Sequence, residues 1–420
     1  MNYNFKQKII DNLIVFMLLM SAGGLLFVFN RNLSYLVFFI ILGIAFLFFG
    51  GKLIKSKVHA AIITFLALGL LFFLSYIFAV KEQSDKQYLY YLMVVLCSTL
   101  TYLFFSNNRS NGIFLERVYL VLKVIVFHSL FNFLAFFIIG NKLTVITSIY
   151  HECETFFNIF FYTTERGMMT LFGVEFCRNQ GLFWEPGVLQ AFLNIFFFLE
   201  AFIFKRNRWF LFLVSFLIIT TYSTTGLAIL LLQGGIFIFS AFKGNKVLLP
   251  LMGLLIIPIY MLFSVNIDNK LQGEKAASYQ KRLFDLIQPL FIASEHPLTG
   301  IGLDSDQFQK IRTEFHFSSN ILQVLKDQVG VISTVKGTDK GCTNSITFLF
   351  AAMGFPTGIL FLVMLFKQNI VNEKKKLFFL IVFVSVMSEP LLFRPFFFIF
   401  IISGFAHIFY KITSHKKQLA

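Results

Sequence analysis

The chain has 420 residues, of which 57% are hydrophobic and 14% are charged, and its net charge is +15. A soluble domain carries about 25% charged residues, so these polar groups are too few to cover a water-facing surface. The positive charge does not mark a nucleic-acid binder either. Its Lys and Arg residues fall in short clusters between apolar runs, as topogenic charge does.

Taken in chain order, the apolar runs are near the ~20 residues that cross a bilayer as a helix. They predict spans at 9–29, 33–50, 58–80, 88–105, 114–140, 186–204, 209–225, 226–242, 247–265, 343–366, 377–389 and 391–410. The runs are apolar all round, as suits helices solvated by lipid and by one another. The first run is long and lacks a small-residue cleavage site, so it reads as a span and not as a cleavable signal. The expectation is an all-α, polytopic integral membrane protein of about twelve transmembrane helices, a single membrane domain over residues 1–420.

Charge placement orients these spans. With the N-terminus inside, the inner segments hold Lys6 and Lys8; Lys52, Lys55 and Lys57; Arg109 and Arg117; Lys205, Arg206 and Arg208; Lys243 and Lys246; Lys367 and Lys374 to Lys376; and Lys411, Lys416 and Lys417. The short outer connections hold Arg31, Lys81, Lys86 and Arg394. Both termini are therefore expected inside, and the two long connections, 141–185 and 266–342, outside. Each half of the last hairpin, 377–410, is short for a full crossing at ~1.5 Å per residue. Its tip, Ser388 to Pro395, is expected to sit recessed below the outer surface. There Glu389 and Arg394 either line a cavity that contacts substrate or form a simple ion pair fixing the hairpin.

Cys97, Cys153, Cys177 and Cys342 show no metal-ligand spacing. Cys153 and Cys177 share one external segment, so they read either as a disulfide of an oxidising compartment or as packing residues. No Walker loop, dinucleotide fingerprint, zincin motif, metal-binding Cys/His cluster or paired acidic metal motif appears, and no cofactor is expected.

Four segments are candidates for chemistry. In Arg178-Asn-Gln-Gly181-Leu-Phe-Trp-Glu185-Pro186-Gly187, Pro186 suits a first helical turn, Glu185 complements the helix dipole and Trp184 suits the interface belt. Arg178 and Glu185 at the mouth of a bundle also suit a phosphorylated substrate. In Ser278 to Ile287, with Phe291 beyond, Leu283, Ile287 and Phe291 make one apolar face. Lys281, Arg282 and Asp285 lie elsewhere, either on a helix resting on the membrane surface or as an arginine clamp on pyrophosphate. Glu295-His296-Pro297-Leu298-Thr299-Gly300-Ile301-Gly302 reads as a shaped turn, with His296, and after it Arg312 and His316, as either solvated loop residues or catalytic ones. Thr220 to Gly226 places small hydroxyl residues at a hairpin tip, where they satisfy backbone groups or allow close helix packing.

The pattern Arg178-x-x-Gly181-Leu-Phe-x-Glu185-Pro186-Gly187 resembles the entry to a central span of the O-antigen polymerase and ligase superfamily. Ser223-Thr-Thr-Gly226 is similar to its small-residue hairpin. Arg282 followed by His296-Pro-Leu-x-Gly300-Ile-Gly302 resembles its large external loop, and Asn344-Ser345 with Gly354-Phe-Pro-x-Gly358 its following span. The ligase branch carries a His where Thr343 stands here, which favours the polymerase branch. Arg178 and Arg282 lack the Arg-to-Gly spacing of some polymerases, so those catalytic assignments do not carry over.

The resemblance implies a GT-C-like, metal-independent glycosyl transferase on the outer face of the bacterial inner membrane. It would join oligosaccharide repeat units carried on undecaprenyl pyrophosphate, in contact with membrane lipid and beside a flippase and a chain-length regulator. A pyrophosphate leaving group needs its charge stabilised, for which Arg178, Arg282 and Arg394, assisted by Lys281, are the candidates. Glu185 and then His296 are the candidates to deprotonate the acceptor hydroxyl, with Arg312 and Glu389 as candidate substrate contacts. The alternatives are a ligase moving finished glycan to a lipid A core or protein, and a transporter of lipid-linked sugars.

Overall fold

A computed structural model of the chain describes residues 5–24, 26–139, 142–147, 152–156, 160–162, 168–171, 173–242, 256–272, 276–314 and 342–418. The helices are α1 (Phe5–Met20), α2 (Leu26–Phe29), α3 (Arg31–Phe49), α4 (Lys55–Ile77), α5 (Asp85–Asn108), α6 (Asn111–Ile139), α7 (Pro186–Phe198), α8 (Arg208–Thr220) and α9 (Thr224–Phe242). They continue with α10 (Ile256–Gln272), α11 (Ala276–Glu295), α12 (Ser305–Glu314), α13 (Ser345–Lys367), α14 (Lys375–Ser388) and α15 (Pro395–Gln418). Among the described residues seven helices are long and apolar enough to cross a membrane: α3, α4, α5, α6, α7 with its extension to Phe204, α13 and α15. Two shorter apolar helices, at Arg208–Thr220 and Thr224–Ser240, form the expected hairpin. The expected span at 247–265 falls partly outside the described residues, as does His316.

The chain forms two compact units. One comprises Met1–Leu53, Phe104–Asn266 and Ile370–Ser385. The other comprises Ile54–Leu103, Ile267–Asn369 and Val386–Ala420.

In the first unit α1 packs on α3 and α6, and α7 packs on α6, α8 and α9. The predicted first span, 9–29, is not one helix. It breaks after Met20 at a turn through Ser21 to Gly24, and α2 follows. The turn is held by another segment: Trp184 N–H donates to the Gly23 carbonyl at 3.0 Å, and Gly24 bridges to Phe183. Trp184 is half-buried beside this turn. Every residue of α7 is buried, and the helix widens into a π-turn over Leu199–Phe204.

The long connection 141–185 adds short strands to this mostly helical fold. Strands β1 (Thr144–Thr147), β2 (Glu152–Phe156) and β3 (Phe160–Tyr162) form an antiparallel meander, and β4 (Met168–Leu171) pairs with β5 (Val174–Cys177). The runs Thr-Val-Ile-Thr and Phe-Phe-Tyr are β-branched and aromatic, which suits a pleated surface better than a helix. Cys177 is buried at the end of β5. The Cys153 side chain lies outside the described residues, and the pairing of the two with it.

In the second unit α13 packs on α11 and α15, and α15 on α4. Phe361 of α13 anchors this core against Phe72, Phe398 and Phe405. Helix α11 buries Asp285, Gln288, Pro289, Ile292 and Ala293, an i, i+3, i+4, i+7, i+8 stripe. The expected apolar face of Leu283, Ile287 and Phe291 is only half-buried. The two polar members of the buried stripe, Asp285 and Gln288, face inward because Arg312 of α12 matches them. The last helix, at 24 residues, is about 36 Å long, so only the α14 half of the final hairpin is short.

Candidate functional site

In the first unit, Arg178 Nε donates to the carbonyl of Thr221 at 2.8 Å. Asn179 does more. Its amide nitrogen donates to Ser129 O at 2.9 Å and Thr220 Oγ1 at 3.2 Å, while its oxygen accepts from Asn132 and from the Gly181 N–H, both at 3.1 Å. This buried amide ties the 178–181 segment to α6 and to the α8–α9 tip. Sequence reasoning passed over it because Asn179 carries no charge. Glu185 directly precedes α7 with extended backbone and makes no side-chain cap bond, leaving its half-buried carboxylate to other uses. At the hairpin tip, Gly226 lies against Gln190 so closely that a Cβ there would be 3.0 Å from Gln190 Cβ, which accounts for the small residue.

The remaining candidates belong to the second unit, where Arg282 and Glu389 come together. Arg282 Nη2 lies 3.7 Å from Glu389 Oε1; the arginine side chain is 36% exposed and the glutamate 5%. Glu389 begins a tight turn before α15. Its carbonyl accepts from Ser345 Oγ at 2.8 Å and from Leu391 N–H at 2.7 Å, and Ser345 Oγ also accepts from Leu392 N–H at 3.3 Å. Ser345 is the first residue of α13, whose N-terminus is capped by the Asn344 side chain, accepting from Ile346 N and Thr347 N. The backbone of Glu389 is thereby tied to the first residue of α13. Arg394 ends the same turn and donates to Tyr90 Oη at 2.5 Å. Glu389 and Arg394 are joined by the turn, while the ion pair of Glu389 is with Arg282.

Arg312 is enclosed by protein groups. Its side chain is 2% exposed and its guanidinium donates to Asp285 Oδ1 at 2.7 Å and to Gln288 Oε1 at 2.7 Å, between the rings of Phe284 and Phe308. The other oxygen of Asp285 accepts from Thr343 N at 3.0 Å and Thr343 Oγ1 at 2.8 Å. Asp285 thus joins α11, α12 and the entry to α13, and Thr343 is one of its donors. Burial and the nearby Asp285 carboxylate push the Cys342 thiol up to about 12, so it is a packing residue and not a nucleophile.

The His296 loop has a structural task. At Gly354 (φ +76°) helix α13 breaks, freeing the carbonyls of Ala351 and Ala352. These accept from Ile301 N at 2.8 Å and Gly302 N at 3.0 Å, and Phe355 N donates back to Pro297 O at 2.8 Å. Gly300 (φ +68°) passes so close that a Cβ would strike the Ala351–Ala352 backbone, and a Cβ on Gly354 would strike Leu298 O. Both glycines are demanded by this crossing. Asp304 finishes the dock: it caps α12 through Asp306 N and Gln307 N and accepts from Ser84 N at 2.8 Å, while its own N–H donates to Gln83. His296 is half-buried just beyond the end of α11, its N–H donating to Ile292 O at 3.1 Å.

The chemistry within reach of the second unit is anion binding by Arg282, with half-buried Lys281 beside it in sequence, next to a buried carboxylate. Among the described residues no group of three or more His, Cys, Asp or Glu side chains is gathered as a metal would need. The helices define a multi-pass α-helical membrane protein. No family model, curated protein or solved structure matches the chain.

Proposed function

We propose that the protein is a polysaccharide polymerase of the O-antigen polymerase and ligase superfamily, with about twelve spans and its active face on the periplasmic side of the bacterial inner membrane. It joins undecaprenyl-pyrophosphate-linked repeat units. The observation that carries this reading is the solvent-reachable Arg282, positioned on α11 against the buried Glu389, within the loop whose motifs resemble that family. Within the second unit, Arg282 and Lys281 take the donor pyrophosphate and Arg394 contributes charge. Supporting this division of labour, Arg312 is consumed by Asp285 while Arg282 is reachable.

A transporter is the second reading, since broken membrane helices line transport sites and α13 is broken at Gly354. The carbonyls freed there are occupied by Ile301 and Gly302 N–H groups, which leaves less for an ion or substrate and favours the enzyme. Arg282→Ala in cells separates the readings. Loss of a polymerase leaves single repeat units on surface lipid. Loss of a ligase leaves long glycan on undecaprenyl pyrophosphate, and loss of a transporter leaves units facing the cytoplasm. Long surface-lipid-linked chains at wild-type level in this variant, at normal protein level, would refute the role of Arg282.

A further inference from the structure

Arg394 stands in a poor place for a cation. It immediately precedes α15, and its carbonyl accepts from the N–H groups of Phe397 at 3.0 Å and Phe398 at 2.8 Å. At a helix N-terminus the dipole favours negative charge and opposes positive. The residue is also deep. The carbonyl of the next residue, Pro395, accepts from Ser98 Oγ at 3.3 Å, and Ser98 lies roughly 20 Å along α5 from its start at Asp85. Helix α5 is long and apolar enough to cross a membrane, and a charged residue at such a depth is costly and marks a functional site by default. The guanidinium turns back along α5, where Nη1 donates to Tyr90 Oη at 2.5 Å on the second turn of that helix. Both side chains of this bond belong to half-buried residues. The Tyr90 ring has its own support: it lies edge-on to Tyr91 at 5.3 Å, and Tyr91 lies edge-on to Phe393 at 5.3 Å.

We propose that Tyr90 is a positioning residue: its phenol holds the Arg394 guanidinium where the diphosphate of the lipid-linked donor meets it. The inference rests on reading Arg394 as part of the donor site. A phenol oxygen is neutral, so it orients a guanidinium without cancelling its charge, as the carboxylate of Asp285 does for Arg312. A long arginine side chain loses rotamer freedom when it grips a ligand, and a partner that has already fixed it removes that cost from binding. An anion arriving at Arg394 meets the guanidinium and the N-terminus of α15 together, and both favour it. The surroundings that oppose Arg394 alone therefore suit Arg394 with a diphosphate.

The test uses the full chain in nanodiscs of zwitterionic lipid, with undecaprenyl pyrophosphate as the binding probe and lipid-linked repeat units as the substrate for transfer. Tyr90→Phe removes the oxygen and keeps the ring. It should raise the Kd of the probe about tenfold, the scale of one hydrogen bond to a charged group. The KM for the repeat unit should rise by a similar factor with kcat little changed, because the diphosphate carries charge in the ground state and the transition state alike. Arg394→Ala should weaken binding at least as much, and Tyr90→Phe should then change nothing further, since the two residues act as one. A Tyr90→Phe protein that binds the probe as wild type does overturns the inference, and so does a loss that adds in full to that of Arg394→Ala. A Tyr90→Phe protein that does not fold shows a structural role and overturns it as well. If Arg394→Ala itself binds as tightly as wild type, the reading of Arg394 as a donor-site residue fails and the inference with it.

Discussion

Two arginines thirty residues apart in sequence, Arg282 and Arg312, illustrate what side-chain surroundings decide. In sequence Arg282 reads as a helix cation and Arg312 as a loop cation, yet it is Arg282 that is reachable, while Arg312 is enclosed by Asp285, Gln288 and two phenyl rings. Removing one member of a buried pair leaves the other charge uncompensated, at a cost of about 3–5 kcal/mol. Arg312→Ala should therefore lower thermal stability in detergent by that order, whereas Asp285→Asn with Arg312→Gln should recover much of it. A folded, stable Arg312→Ala protein that merely loses binding would show Arg312 to be a substrate contact after all. Arg282→Ala should instead keep its stability and lose transfer about a hundredfold, the scale of one charge-stabilising donor. Cys342 should alkylate at pH 8 roughly a thousandfold more slowly than a surface cysteine, because its thiol is pushed up to about 12 and the thiolate is the reactive form. The Asp285–Arg312 pairing was not legible in the sequence. Nothing local links an acid on one helix to a base 27 residues on, and a charged residue on a helix is read as solvent-facing until its partner is known.

At the scale of elements, the sequence was informative where local chemistry decides and silent where a neighbour does. Pro186 opens α7 and the hydroxyl residues end α8 and start α9 as expected, since both depend on the backbone at that point. The interruption of the first span and the break in α13 depend on segments far along the chain, Trp184 and the 297–302 loop. The strands of 141–185 were missed because they are three to five residues long and bounded by polar stretches. The α13 crossing makes its own prediction. Gly300→Ala adds a Cβ against the Ala351–Ala352 backbone at positive φ, which should destabilise the protein by on the order of 2–4 kcal/mol, read as a fall in melting temperature. A neutral result would mean that the loop does not dock on the break.

For the whole molecule, run length and charge asymmetry made the multi-pass helical class legible, because bilayer thickness and the positive-inside bias act on composition and not on detail. The count of spans was less legible: α1 and α14 are 16 and 14 residues long, and no composition rule says whether so short a helix crosses. The proposed orientation places exposed Glu175 and Leu298 outside and exposed Leu53 and Arg208 inside. With native cysteines removed, single cysteines at the first two should react with an impermeant thiol reagent in intact cells, and those at the second two only after lysis. Reversed labelling would invert the map and remove the periplasmic site. The most direct measurement of the account as a whole is made on purified protein in liposomes supplied with undecaprenyl-pyrophosphate-linked repeat units, with products resolved by mass. The account predicts a ladder of lipid-linked glycans rising by one repeat unit per step, lost in Arg282→Ala; single units that stay unjoined in the presence of folded wild-type protein would contradict it.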